Sequence, residues 1–80
     1  MNRAHIETTV LTAIAAVLKR ELPEGAQTSR ENTPEWDSLK HVEIMFAVED
    51  ELSVEFSEEE LAELNSVARI VNAVEARHAA

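Results

Sequence analysis

Ser38 and His41 lie three residues apart in the run Trp36-Asp37-Ser38-Leu39-Lys40-His41. On a helix that spacing puts a hydroxyl and an imidazole on one side, as a nucleophile and its base would require. The rest of such a site is missing. No acidic residue stands out to orient His41, and the single glycine, Gly25, cannot make a glycine-rich oxyanion turn. A chain of 80 residues also leaves little room for a substrate cavity. Catalysis is therefore not expected. His5, His41 and His78 are too scattered for metal-ligand spacing and read as surface or capping residues. The acidic stretch from Asp50 to Glu60 lacks the glycine and alternating oxygen ligands of a calcium loop. No metal site is expected.

What remains is Ser38 as the acceptor of a covalent group. It stands at the junction between a polar loop, with Pro23, Gly25 and Pro34, and an apolar and acidic segment from Leu39 to Leu52. A serine at the start of a helix presents its hydroxyl at the surface, within reach of a partner. The dipeptide Asp37-Ser38 alone has a plainer explanation, because both residue types are favoured N-caps.

The elements that position this junction read as helices. An apolar fraction of 45% suits a folded domain, and one glycine and two prolines disfavour a turn-rich sheet. There is no cysteine to staple or to bind zinc, so helix packing must supply a stability of only about 3–5 kcal/mol. A first helix is predicted over 3–21, with Asn2 as cap, Ile6, Val10, Ile14, Val17 and Leu22 as its stripe, and Leu11 and Leu18 widening it. Lys19 and Arg20 suit its C-terminal dipole, and Pro23 stops it. Residues 23–36 form a long polar connection in which Thr33-Pro34 could open one helical turn, and Trp36 should pin the end to the core.

A second helix is predicted over 38–52. Ile44, Met45, Val48 and Leu52 face the core, while Leu39, Val42 and Phe46 form a second apolar stripe. That stripe is either a partner surface or covered by the bundle. Val54 and Phe56 plug the core from a loop. Ser57-Glu58-Glu59-Glu60 is a capping box opening a short helix to Glu63 or Leu64, with Leu61 and Leu64 inward. Asn65 or Ser66 caps a last helix buried through Val67, Ile70, Val71 and Val74, with Arg77 and His78 suiting its dipole and Ala79-Ala80 fraying. The expected fold is all-α: a small four-helix bundle of three main helices and one short one, with a long first loop, as a single domain over 1–80.

The net charge of −9 is concentrated. Eleven of the sixteen carboxylates fall between Glu35 and Glu63, opposed there only by Lys40. A phosphate backbone needs a basic face, so nucleic acid is excluded as a partner. A basic protein surface is the natural complement, unless the charge serves only solvation. No apolar run approaches the about 20 residues of a membrane span, so a cytoplasmic location is expected.

Trp36-Asp37-Ser38-Leu39, then Val42-Glu43-Ile44, then Ala47-Val48-Glu49-Asp50-Glu51-Leu52, resembles the acyl carrier protein family, which includes the peptidyl carriers. The likeness runs through Val54-Glu55-Phe56 and the short acidic helix to Val67–Val74, covering about 34–75 well; the first helix matches in length and pattern only. The resemblance implies a non-enzymatic carrier. Ser38 matches the serine that receives 4′-phosphopantetheine from coenzyme A, and Asp37 the acidic residue that helps the modifying transferase dock. Leu39, Val42 and Phe46 match exposed apolar positions gripped by partners. Glu43, Glu49 and Asp50 match acidic positions that pair with basic residues on them. The implied partners are a phosphopantetheinyl transferase, an acyl- or aminoacyl-loading ligase and downstream transferases, acting on a monomer.

The family's fatty-acid branch has Leu-Gly-x-Asp-Ser-Leu, whereas this chain reads Thr33-Pro34-Glu35-Trp36-Asp37-Ser38-Leu39, followed by Lys40 and His41. Those departures imply a discrete carrier of a specialised pathway. If the bundle shelters an acyl chain, the space should lie near Ile44, Val48 and Leu61. The alternatives are an unmodified acidic interaction module, with Ser38 a mere cap, and a dimer seamed by Leu39, Val42 and Phe46.

Overall fold

Asn2 starts the first helix as expected: its side chain accepts the His5 N–H at 2.8 Å. This is a computed structural model describing residues 2–78; the expectations for Ala79-Ala80 and for the His78 side chain lie outside the described residues. Helix α1 spans Arg3–Leu18 and stops short of the expected residue 21. Lys19 turns left-handed at φ 56°, and both its N–H and that of Arg20 return to the Ala15 carbonyl. Backbone closure at Lys19, not Pro23, ends the helix. Lys19 and Arg20 therefore follow the last turn, and Leu22 is half-buried beyond the helix rather than completing its stripe. Ile6, Val10, Ala13, Ile14 and Leu18 are its buried face.

The connection to the second helix is held at several points. Gly25–Gln27 makes a short 3-10 turn, an element the apolar pattern does not foretell. Gly25 supplies the positive φ of 53° that this turn needs. Thr33-Pro34 opens no helical turn; Trp36 N–H closes a simple turn on the Thr33 carbonyl at 2.9 Å. Arg30 N–H bonds the Asn65 carbonyl and Val67 N–H bonds the Thr28 carbonyl, both at 2.9 Å, around a Ser29–Ser66 bridge. The loop is thus strapped to the chain just before the last helix.

Helix α2 spans Ser38–Leu52, the predicted bounds. Ile44, Met45, Val48 and Leu52 are buried, as their spacing requires. Ser53 ends it in a left-handed cap at φ 54°, and Val54 and Phe56 insert into the core from the loop. The Ser57–Glu60 capping box is formed in both directions and opens α3, Glu58–Glu63; Leu64 is buried and Leu61 half-buried. Ser66, of the two predicted caps, accepts the Arg69 N–H at 3.1 Å and starts α4, Val67–His78. Val67, Ile70, Val71 and Val74 are buried. Helix α1 packs on both α2 and α4, and the buried apolar residues form one core. The chain is a small all-α bundle of acyl-carrier type.

Short α3 buries none of its own residues, so it needs an outside hold. Arg77 of α4 supplies it. Its Nη2 donates to both Glu60 carboxylate oxygens at 2.6 Å, its Nε donates to the Glu55 carbonyl at 3.0 Å, and its guanidinium lies 4.4 Å over the Phe56 ring. The Ser57 backbone N–H, then Arg77, hold Glu60 below the ordinary carboxylate pKa of 4.5. Glu35 is held below the same value by backbone hydrogen bonding and by Arg20 at 2.7 Å. A carboxylate with a depressed folded pKa stabilises above its unfolded pKa and loses that contribution as pH falls through the folded one. The expected result follows for Arg77→Gln and Arg20→Gln. Each should have a lower urea midpoint than wild type at pH 7, with the gap narrowing below about pH 4.5. A gap that widens in acid would contradict this sign. The backbone N–H is the larger cause at both carboxylates, so the narrowing is partial.

Candidate functional site at the N-terminus of the second helix

The start of α2 divides two tasks between adjacent residues. Asp37 is the cap: its backbone is extended, and its Oδ1 accepts the Lys40 N–H at 2.9 Å. His41 N–H bonds the Asp37 carbonyl at 2.8 Å. Ser38, the first helical residue, is thereby released from capping, and its side chain is exposed. Its Oγ accepts a hydrogen bond from Arg30 Nη2 at 2.9 Å. Arg30 Nε also donates to the Trp36 carbonyl at 3.2 Å. The N–H groups of Ser38 and Leu39 belong to the first turn of α2, whose N–H groups have no intrahelical acceptors and where the dipole favours an anion.

His41 departs from the surface or cap role expected of it: it is buried, 8% exposed. Trp36, 1% exposed, stacks on it with ring centroids 6.0 Å apart and planes at 23°. An indole N–H can only donate, so the 2.9 Å bond from Trp36 Nε1 makes His41 Nδ1 an acceptor. The imidazole proton then sits on Nε2 and is donated to the Leu61 carbonyl at 2.6 Å. Both ring nitrogens are committed to this relay from loop to α2 to α3. His41 cannot serve Ser38 as a base, which is the structural reason that the Ser38/His41 spacing makes no hydrolase. One signal in the sequence pointed inward. His41 lies on the stripe of Ile44, Met45 and Val48 at i+3, i+4 and i+7.

The second apolar stripe is uncovered. Leu39 is 71%, Val42 48% and Phe46 61% exposed, all on the side of α2 turned from the core. Glu43, exposed beside them, pairs with Lys40 at 3.4 Å, and Asp50 is exposed. Glu49 is placed differently: half-buried, its Oε2 accepts the Phe56 N–H at 2.9 Å and so holds the loop after α2. The sequence gives no sign of Arg30 at this site, since seven loop residues separate it from Ser38 and nothing periodic links them. A groove of about 330 Å3 runs between α1 and α2, lined by Thr8, Thr12, Ala13 and Val17 against Ala47 and Glu51. It touches α2 at residues other than the Ile44 and Val48 named for cargo, which are wholly buried.

No helix among the described residues is long and apolar enough to cross a membrane, and no acidic or histidine cluster there could hold a metal ion. No curated protein matches the chain. The family model for the phosphopantetheine attachment site matches residues 8–74, from the second turn of α1 to the buried Val74 of α4. Matched over most of its length, the chain belongs to the phosphopantetheine attachment site family, and so is a non-catalytic carrier whose prosthetic group is covalent 4′-phosphopantetheine.

Proposed function

We propose that Ser38 is the attachment point and that the protein carries acyl or aminoacyl intermediates as thioesters between partner enzymes. The observation that carries this is the exposed Ser38 hydroxyl at the first position of α2, freed from capping by Asp37. The site fits a phosphodiester: a helix N-terminus and a guanidinium meet at the acceptor oxygen, and no carboxylate bonds it among the described residues. The attached arm supplies a thiol, which this cysteine-free chain lacks. A serine hydroxyl is a weak nucleophile, so the modifying transferase supplies activation and this chain supplies presentation.

Residues 1–80 form one carrier domain on this reading. Leu39, Val42 and Phe46 are the apolar grip for partners, and Asp37, Glu43 and Asp50 the acidic rim that steers basic docking surfaces. Glu49 supports that surface from beneath by fixing the loop at Phe56. Pro34 and Glu35, standing where the fatty-acid branch has Leu and Gly, favour a discrete carrier of a specialised pathway, which on this reading acts in the cytoplasm.

Incubation with coenzyme A and a broad-specificity phosphopantetheinyl transferase should add one phosphopantetheine to the intact mass, mapped to Ser38. No gain on folded protein with several transferases would favour an unmodified interaction module. Phe46→Ala is expected to raise the transferase KM several-fold with little change in Tm, because an exposed side chain contributes little to stability and much to docking. A Tm loss as large as that of a core truncation would instead place Phe46 in the fold. Sedimentation at several concentrations should show a monomer; a dimer would assign the stripe to self-association.

A further inference from the structure

We propose that Arg30 is the anion partner of the prosthetic arm: its guanidinium, bonded to Ser38 Oγ before attachment, holds the phosphodiester afterwards. This rests on Ser38 being the attachment point. Three hydrogen bonds fix Arg30. Its backbone N–H is tied to Asn65, its Nε to the carbonyl of buried Trp36, and its Nη2 to Ser38 Oγ. The guanidinium is therefore aimed at the serine by the path of the loop.

In this chain of net charge −9, four of the seven Lys and Arg residues, Arg3, Arg20, Lys40 and Arg77, meet a carboxylate within 4.0 Å; Lys19, Arg69 and Arg30 do not among the described residues. Among the described residues Arg30 meets none, although Asp37 is the neighbour of Ser38; the Asp37 Oδ1 is turned to Lys40 N–H instead. A neutral hydroxyl is a weak partner for a guanidinium. A phosphodiester is a strong one, since its two non-bridging oxygens share a full negative charge and match the planar fork of donors. On attachment the Ser38 Oγ–H bond and the pyrophosphate P–O bond of coenzyme A break, the Oγ–P bond forms, and adenosine 3′,5′-bisphosphate and the proton leave; the non-bridging oxygens are then two bonds from the oxygen that Arg30 already touches. The first-turn N–H groups of Ser38 and Leu39 belong to the same helix end. The pairing fixes the root of the arm and leaves the thiol end free to move between partners.

The test uses apo and loaded protein, with loading verified by mass, for wild type, Arg30→Gln and Arg30→Lys. In wild type, the Arg30 side-chain N–H signals should shift and exchange more slowly on loading, with nitrogen–phosphorus coupling across the hydrogen bond. Loading should also raise the wild-type Tm by about 4 °C at low salt, the size expected of one charge-assisted contact in a domain of this length. The gain should vanish in Arg30→Gln, persist in part in Arg30→Lys, and shrink near 1 M salt. Unmoved Arg30 signals in loaded wild type, or an equal gain in Arg30→Gln, would overturn the proposal; should Arg30→Gln not fold, the wild-type spectra decide. A wild-type mass that never rises removes the attachment reading and this one with it. A mass that rises with Arg30 unaffected removes this one alone.

Discussion

Ser38→Ala is expected to abolish loading completely while the protein stays folded. Alanine offers no oxygen to phosphorus, and no other hydroxyl occupies the first position of α2. Stability should hardly change. The Ser38 side chain is exposed, its one bond is to Arg30 at the surface, and the cap of α2 is Asp37. A surface change of this kind costs within about 0.5 kcal/mol, or roughly 2–4 °C of Tm in a domain this small. Asp37→Ala supplies the contrast. Removing a cap costs about 1 kcal/mol, so that variant should melt lower and still gain mass. Intact mass and thermal melts on the two variants separate acceptor from cap. Loading of Ser38→Ala would show that the acceptor lies elsewhere.

Trp36→Ala is expected to leave the chain largely unfolded. A buried tryptophan truncated to alanine costs about 3–5 kcal/mol. Leaving the His41 Nδ1 without its donor costs about 1–3 kcal/mol more. A single core of this size provides only about 3–5 kcal/mol in all, so the loss meets or exceeds the total. Trp36→Phe keeps most of the apolar volume but loses the N–H and part of the ring system. It should remain folded with stability lowered by about 1–3 kcal/mol. Trp36 is the sole tryptophan, so far-UV circular dichroism against urea is the suitable probe. A Trp36→Ala protein with the wild-type midpoint would mean that the relay to Leu61 holds nothing together.

The consequence for function is that Trp36 serves the site indirectly. Its side chain locks the loop to α2 and, through His41, to the end of α3. Its carbonyl orients Arg30 toward Ser38. Trp36 thus aligns the acceptor's surroundings without touching the acceptor.

The amino-acid order by itself determined what local physics can specify. The bounds of α2, the Asn2 cap, the Ser57–Glu60 capping box and the buried stripes of α1, α2 and α4 all depend on residues three to seven apart. The spacing also marks Leu39, Val42 and Phe46 as a second apolar stripe, but only the packing shows that the bundle leaves it uncovered. Only the tertiary structure decided the rest. Whether α1 stopped at Leu18 or ran on turned on a left-handed Lys19 and on Arg20 reaching Glu35. Whether His41 faced water or the core turned on Trp36 arriving beside it and the Leu61 carbonyl closing the far side. That Glu49 also anchors the loop after α2 turned on where the Phe56 N–H came to lie. Arg30 could be found only once the loop was strapped to Asn65, 35 residues away. A helix encodes its own register and caps within a turn or two. The path of a loop is set by the sum of distant contacts it satisfies, and it is the loop that brings a cation to the serine.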